Sequence, residues 1–150
     1  MINIIKIKEC EFNLLNHELL FSKPEFNRSF ALVKIETYIY KTAWNSTVIQ
    51  PQLLDLDLKF FAIDQFLAIF NHKGCLLKKQ ELSYRFCDFL YFNNTYYIIT
   101  ELDICKIDLN NYDLIEIEYF NEIYSHYKIS NNKLTIFFID GQSVQIAQTT

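Results

Sequence analysis

Seven residues of this chain carry side chains that commonly act as nucleophiles, bases or metal ligands. They are Cys10, Cys75, Cys87, Cys105, His17, His72 and His126. The cysteines form no Cys-x-x-Cys pair, and no histidine has a partner at the spacing of a zinc site. The motifs of serine hydrolases and zinc proteases are missing, and two glycines are too few for a phosphate-binding loop. The sequence therefore predicts no catalytic residue, no cofactor and no metal ion.

This pattern favours a binding protein, but an enzyme stays open as an alternative, because a nucleophile and its base can meet only in the fold. Three cysteines have apolar neighbours, where a thiol usually behaves as a small buried group. Widely spaced reduced thiols are typical of the cytoplasm. The opening stretch MINIIKIKEC alternates apolar and basic residues, which predicts a strand rather than a signal peptide. No run of about 18 apolar residues could cross a membrane, so we expect a cytoplasmic protein without a membrane partner.

The strongest charge asymmetry lies between Glu101 and Glu122, where seven acids face a single base, Lys106. On a regular strand DLIEIEY, one side of the sheet would carry Leu114, Glu116 and Glu118. The other side would carry Ile115, Ile117 and Tyr119. Tyrosines flank these acids, and aromatic side chains are common anchors at interfaces. We predict a partner-binding patch made of acids and tyrosines: Asp113, Glu116, Glu118, Glu122, Tyr112, Tyr119 and Tyr124.

The same acids have two other interpretations. They could form a solvated sheet face that keeps the protein soluble, or the carboxylates could hold a divalent cation. Nucleic acid is not an expected partner, because the net charge is −4 and the basic residues cluster only modestly. The modest cluster consists of Lys73, Lys78, Lys79 and Arg85. A basic protein is therefore the expected partner.

Short runs of β-branched and aromatic residues, separated by Asn, Asp and Gly, predict an all-β fold of antiparallel meanders. The predicted architecture is propeller-like, a curled sheet or a sandwich, and α+β is the alternative. We expect at most one short helix, near residues 23–32, because SKPE at Ser22–Glu25 matches a capping box with Pro in the first turn. A chain of 150 residues fits a single domain.

Three ranges, at about residues 56–80, 86–119 and 123–147, each show the order strand, turn, strand, turn, strand, which predicts three copies of a three-stranded meander. Examples are FLYFNNTYYIIT from Phe89 and KISNNKLTIFFIDGQSVQI from Lys128. This pattern resembles the blades of a β-propeller, although no Trp-Asp pair is present. Three units are too few to close a propeller ring, which implies an open curled sheet or sandwich, or hairpins that merely look alike.

The three Asn pairs of these ranges are Asn93–Asn94, Asn110–Asn111 and Asn131–Asn132. Their side-chain amides could bind a ligand, but Asn also tolerates the left-handed backbone that tight turns require. With two glycines in the whole chain, Asn must fill most such positions. We therefore interpret the Asn pairs as turn formers.

In composition the chain resembles the immunity proteins that bacteria pair with secreted toxins, especially nucleases. It is small, acidic and rich in Tyr and Phe. The resemblance involves no motif, so it assigns no functional residue. It implies an inhibitor whose acids cover the basic groove of a toxin. The alternatives are a barrel-like domain that binds a small ligand or acts as an enzyme, and a homo-oligomer joined through open sheet edges.

Overall fold

The computed structural model describes residues 1–147, and this part of the chain forms fifteen β-strands and one short α-helix in four sheets. The chain divides into two compact units, residues 1–83 and the described residues from 84 onwards. We call them the first and the second unit. Within the described residues, no helix is both long and apolar enough to span a membrane.

The first unit contains two four-stranded sheets and the helix. Its elements are β1 (Ile2–Ile7), α1 (Glu9–Leu14), β2 (Glu18–Leu19), β3 (Ser29–Ile35), β4 (Tyr38–Trp44), β5 (Gln52–Asp55), β6 (Lys59–Ile63), β7 (Phe66–Phe70) and β8 (Leu76–Glu81). One sheet has the order β1-β3-β4-β2 and the other the order β5-β6-β7-β8. The short strand β2 is parallel to β4, and the other ladders of this unit are antiparallel.

The second unit contains a four-stranded and a three-stranded sheet. Its strands are β9 (Phe86–Phe92), β10 (Thr95–Thr100), β11 (Asp103–Ile107), β12 (Leu114–Tyr119), β13 (Tyr124–Ser130), β14 (Lys133–Phe138) and β15 (Ser143–Ile146). The orders are β12-β11-β10-β9 and β13-β14-β15, and all of these ladders are antiparallel. The predicted all-β class with one short helix is confirmed, and none of the four sheets closes into a barrel within the described residues.

The capping-box pattern predicted a helix near residues 23–32, and this position is wrong. The helix lies at Glu9–Leu14. Residues 24–26 form a turn, and the residues on its two sides are joined by a hydrogen bond from the amide of Lys23 to Asn27 Oδ1 at 3.0 Å. The next residues join β3, which pairs along its length with both β1 and β4. Two ladders of backbone hydrogen bonds and the β-branched side chains of β3 outweigh the local preference for a helix.

A lysine from the neighbouring sheet stabilises the C-terminal end of α1. Lys41 Nζ donates to the carbonyl oxygens of Phe12 at 3.0 Å and Leu15 at 2.9 Å, and the same ammonium lies 4.6 Å from the ring centre of Phe12. A positive charge is favourable there, because the last carbonyls of a helix are unpaired and carry partial negative charge. The helix is therefore held by the sheet, since six residues are too few to be stable alone.

The strands within the predicted repeat ranges form three separate meander sheets. Each sheet follows chain order: β5 to β8, β9 to β12, and β13 to β15. The first range contains the three expected strands, β6 to β8, because β5 precedes it, and the third range also contains three. The second range contains four strands instead of three. That the three sheets are copies of one unit, and that the chain is one domain, stay predictions.

The Asn pairs lie in turns, as interpreted from the sequence. Asn93, Asn94, Asn131 and Asn132 have φ between 50° and 60°. Two consecutive residues with positive φ match the twist of the strands that a two-residue hairpin connects. At the remaining pair, Asn110–Asn111, the side chain closes the turn: Asn111 Oδ1 accepts from the amide of Asp113 at 2.9 Å.

Each unit has its own hydrophobic core. In the first unit, large side chains of β3 and β4 pack against those of β6 and β7, with Trp44, Phe61 and Phe70 at most 1% exposed. In the second unit, the sheet of β9 to β12 packs against the sheet of β13 to β15. The core of the second unit contains Leu90, Tyr97, Ile99, Ile104, Phe120, Tyr124, Leu134, Ile136 and Ile146. It contacts the strand β12 through the partly buried Ile117, and β12 carries three of the seven predicted patch residues, Glu116, Glu118 and Tyr119.

Candidate functional site

The predicted patch is centred on β12, which is the outer strand of its sheet and pairs with β11. Four of its six residues are exposed: Ile115, Glu116, Glu118 and Tyr119. We call these four residues the acidic edge. Charged side chains and irregular pairing are common devices that protect an outer strand from pairing with other chains. The acidic edge therefore has an ordinary structural role, in addition to any role in binding.

A bulge in β12 changes the direction of its side chains. Consecutive residues of β11, Ile104 and Cys105, pair with Glu118 and Glu116, so Ile117 is an extra residue. Because consecutive residues of β11 point to opposite faces, the two glutamates also point to opposite faces. The prediction that they share one side is therefore wrong. Regular alternation cannot continue through a bulge.

Glu116 lies on the same face as a buried acid, Asp103. Asp103 is 4% exposed, and its carboxylate accepts a hydrogen bond from the hydroxyl of Thr100. The amide of Asp103 donates back to Thr100 Oγ1 at 3.1 Å, which closes the turn between β10 and β11. A hydrogen bond between the two carboxyl groups raises the pKa of Glu116 above its ordinary value of 4.5. Two carboxyl groups can share such a bond only while one of them holds a proton.

A cysteine completes this small cluster. Cys105 Sγ lies 3.7 Å from Asp103 Oδ2, and burial, followed by the charges of Asp103 and Glu116, raises the pKa of the thiol to about 12. The thiol is therefore protonated at neutral pH, whereas a nucleophilic cysteine needs a lowered pKa. The cluster of Thr100, Asp103, Cys105 and Glu116 orders a turn and a strand pair, and its chemistry does not favour nucleophilic catalysis.

Tyr119 extends the exposed surface at the end of β12. It is 52% exposed, and its ring centre lies 6.1 Å from that of Tyr84 in a tilted arrangement. Desolvation, followed by the electrostatic influence of Tyr119 and Asp103, raises the pKa of Tyr84. The phenol of Tyr84 is therefore neutral at physiological pH, and both rings can act as flat, amphipathic contact surfaces.

The predicted residues that flank β12 are less accessible than the acidic edge. Tyr112 and Asp113 are half-buried and belong to the turn before the strand, where Tyr112 has φ = 64°. Glu122 is also half-buried, and its Oε1 accepts from the amide of Ile123 at 3.0 Å. These three residues border the acidic edge, and their backbone and side-chain contacts shape the connections at its two ends.

Tyr124 is placed in the core by the structure. It is 7% exposed, and its hydroxyl donates to Asp88 Oδ2 at 2.8 Å. Burial and this hydrogen bond raise the pKa of the phenol well above its ordinary value of 10.0. Tyr124 therefore supports the predicted patch from inside and cannot present its ring to a partner. Asp88 is 36 residues away in the sequence, so local patterns give no sign of this contact.

Replacing Tyr124 with phenylalanine should lower the free energy of unfolding by about 1–3 kcal/mol, because Asp88 loses a hydrogen-bond donor in a partly buried position. Urea denaturation followed by circular dichroism measures this. Tyr127→Phe is the matched control, because Tyr127 packs against the same core and is partly buried. Equal effects of the two substitutions would contradict a specific role for the Tyr124–Asp88 bond.

No protein-family model matches this chain, and no curated protein matches it. The site must therefore be interpreted from its own chemistry. Within residues 1–147, no group of three or more His, Cys, Asp or Glu side chains could hold a metal ion. The site consists of an outer strand with exposed acids and apolar groups at the edge of a four-stranded sheet.

Two features of the site were beyond the sequence prediction. The carboxyl pair of Asp103 and Glu116 depends on the pairing register of β11 and β12. The sequence Thr-x-x-Asp at 100–103 is the only local sign of it, because a Ser or Thr hydroxyl often closes such a turn. The exposed apolar residues Ile123 and Ile139 were also not predicted to be at the surface.

Proposed function

We propose that this protein is a small acidic binding protein of the bacterial cytoplasm that covers and neutralises a basic protein, such as a nuclease toxin. The observation that carries the proposal is the acidic edge, where exposed acids alternate with the exposed apolar groups of Ile115 and Tyr119 on an outer strand. The four cysteines are unpaired, which fits a reducing compartment.

The charge distribution of the chain supports this proposal. Residues 84–150 include nine acids and four Lys or Arg, whereas residues 1–83 include nine acids and ten Lys or Arg. The net negative charge is therefore concentrated in the second unit. Such a concentration attracts a basic partner over distances up to about 10 Å at moderate salt and orients it before contact.

The geometry of the acidic edge also fits this role. The bulge at Ile117 directs Glu116 and Glu118 to opposite faces of the sheet, so negative charge surrounds the outer strand instead of lining one face. A basic groove could receive such a strand from both sides. Tyr119 supplies a large exposed ring, and tyrosine is enriched where binding energy is concentrated.

Replacing both Glu116 and Glu118 with lysine should slow association with the basic partner about tenfold at low salt and leave folding nearly intact. Exposed charges mainly change association rates. A lysine at position 116 keeps a hydrogen-bond donor beside Asp103, and substitutions at exposed positions usually change stability by less than about 0.5 kcal/mol. The partner is first obtained by affinity capture from the native organism and identified by mass spectrometry. Stopped-flow association is then measured at low and high salt.

The matched control makes the same change of charge in the first unit. Glu25 and Asp57 are exposed acids there, and their double lysine variant has the same net charge as the Glu116→Lys, Glu118→Lys variant. We expect the control to associate much faster than the acidic-edge variant. Equal rates for the two variants would mean that net charge alone governs association. Association that does not respond to salt or to either variant would overturn the proposal.

A further inference from the structure

The second unit has an apolar patch on the face of β13 and β14 that points away from the core. Ile139 donates its amide to the carbonyl of Ile123 at 3.0 Å, which extends the β13–β14 ladder by one pair beyond Tyr124 and Phe138. Tyr124 and Phe138 pack against the core, so the next pair along the ladder points outward. Accordingly, Ile139 is 63% exposed and Ile123 is 42% exposed.

Two aromatic rings continue this patch along the strands. Phe137, next to the core residue Phe138, pairs with His126, and their rings are stacked with centres 4.7 Å apart. His126 is exposed and Phe137 is half-buried. We call Ile123, His126, Phe137 and Ile139 the outer patch. Single exposed apolar residues are normal, but here two exposed isoleucines and the half-buried Phe137 share one sheet face with the ring of His126. Contiguous apolar surface of this kind is a common feature of binding surfaces.

Backbone hydrogen bonds hold the end of the unit next to the outer patch. Phe120 donates its amide to the carbonyl of Leu102 at 2.7 Å, and Tyr124 donates to Glu101 at 2.9 Å. These bonds join the turn after β10 to the connection between β12 and β13. Because the backbone around Ile123 is fixed, little conformational entropy would be lost on binding.

The charges next to Ile123 and Ile139 are negative, whereas Lys128, two residues beyond His126 on the same face of β13, lies at the other end of the outer patch. Glu122 precedes Ile123, and Asp140, which follows Ile139, is exposed. The segments 119–124 and 139–143 contain no Lys or Arg. Residues 120–122 connect this end directly to the acidic edge on β12. An apolar centre with an acidic border is complementary to an apolar side chain that has lysine or arginine neighbours.

We propose that the outer patch is the anchoring surface for the basic partner, and that it binds an apolar side chain of that partner flanked by Lys or Arg. This inference rests on the proposed function, since the acids next to the outer patch select a basic partner. It assigns different roles to two surfaces. The acidic edge accelerates encounter, whereas Ile123 and Ile139 slow dissociation.

The first test uses three synthetic peptides as probes of the isolated protein: alternating Lys and Leu, alternating Lys and Ser, and alternating Glu and Leu. Each is titrated into ¹⁵N-labelled protein, and amide chemical shifts are followed by NMR. We expect the Lys–Leu peptide to shift the amides of residues 122–126 and 137–140 and to bind at least about fivefold more tightly than the other two. Shifts confined to β12, or equal binding of the Lys–Leu and Lys–Ser peptides, would overturn the inference.

Substitutions distinguish specific binding at the outer patch from nonspecific binding to exposed apolar residues. Ile139→Ser should weaken binding of the Lys–Leu peptide about fivefold or more. Ile129→Ser is the matched control, because Ile129 is 41% exposed on the same strand pair but belongs to its other end. Equal losses for the two variants would overturn the inference.

The outcome separates the two proposals. If a Lys-rich peptide binds at β12 but not at the outer patch, the inference fails and the proposed function still stands. If neither Lys peptide binds at either surface, both fail. With the captured partner, Ile139→Ser should increase the dissociation rate with little change in the association rate, and the opposite pattern would overturn the inference.

Discussion

Replacing Phe61 with alanine is expected to lower the free energy of unfolding of the first unit by about 3–5 kcal/mol. Phe61 is 0% exposed and lies in β6, opposite Leu53 and Ala68. Its ring is stacked on that of Phe21 with centres 6.4 Å apart. Removing the ring loses the burial of apolar surface and leaves a cavity, because close-packed strands on both sides prevent the site from collapsing.

Urea denaturation followed by the fluorescence of Trp44 measures this effect. Trp44 is the only tryptophan of the chain, is 1% exposed and belongs to the same core cluster as Phe61. Phe26→Ala is the matched control, because Phe26 is 58% exposed in a turn and its loss should cost about 0.5 kcal/mol or less. Similar values for the two variants would contradict the position of Phe61 at the centre of the first core.

The elements that the sequence predicted best are those with local causes. Asn131 and Asn132 adopt positive φ because their short side chains tolerate the left-handed region, and that preference is visible in the sequence alone. The strands on both sides of this turn follow from β-branched and aromatic residues in short runs. The all-β class could be predicted for this reason, without knowledge of which strands pair.

The elements that the sequence predicted poorly depend on distant residues. The SKPE motif favours a helix locally, but β3 gains hydrogen bonds to β1 and β4 on its two sides. Helix α1 was not predicted, and it depends on Lys41, which comes 27 residues after Leu14 in the numbering of the chain. A short helix with little stability of its own forms where a sheet supports it.

The same distinction applies to the candidate site. The excess of acids near β12 could be read directly, and Glu116 and Glu118 are exposed as expected. Their directions could not be predicted, because the extra residue of a bulge is chosen by the pairing of β11 with β12. The burial of Tyr124 likewise depends on Asp88, which belongs to another sheet of the unit. The composition therefore identified the acidic segment, and only the fold identified which of its side chains are exposed.

Replacing Gly74 with alanine should destabilise the first unit by about 2–4 kcal/mol, a larger effect than Gly141→Ala in the second unit. Both glycines have positive φ, 93° and 87°, so an alanine is strained at either position, by about 1–2 kcal/mol. At Gly74 a Cβ would also lie 2.4 Å from the carbonyl oxygen of Ile35, whereas at Gly141 nothing lies within 4 Å. The obstacle at Gly74 is backbone at the end of β3, which cannot move without disturbing the ladder with β4.

The position of Gly74 also involves a buried tyrosine. Tyr40 donates its hydroxyl to the carbonyl of Gly74 at 2.7 Å and accepts from the amide of Leu76 at 3.1 Å, so a shift of residue 74 would weaken both hydrogen bonds. Urea denaturation followed by circular dichroism should show the larger loss for Gly74→Ala, with Gly141→Ala as the control for φ alone. Because the two glycines share the strain of positive φ, the difference between the variants measures the close approach of β3 to the turn before β8. Equal losses would contradict that approach and, with it, the packing of the two sheets of the first unit around Tyr40.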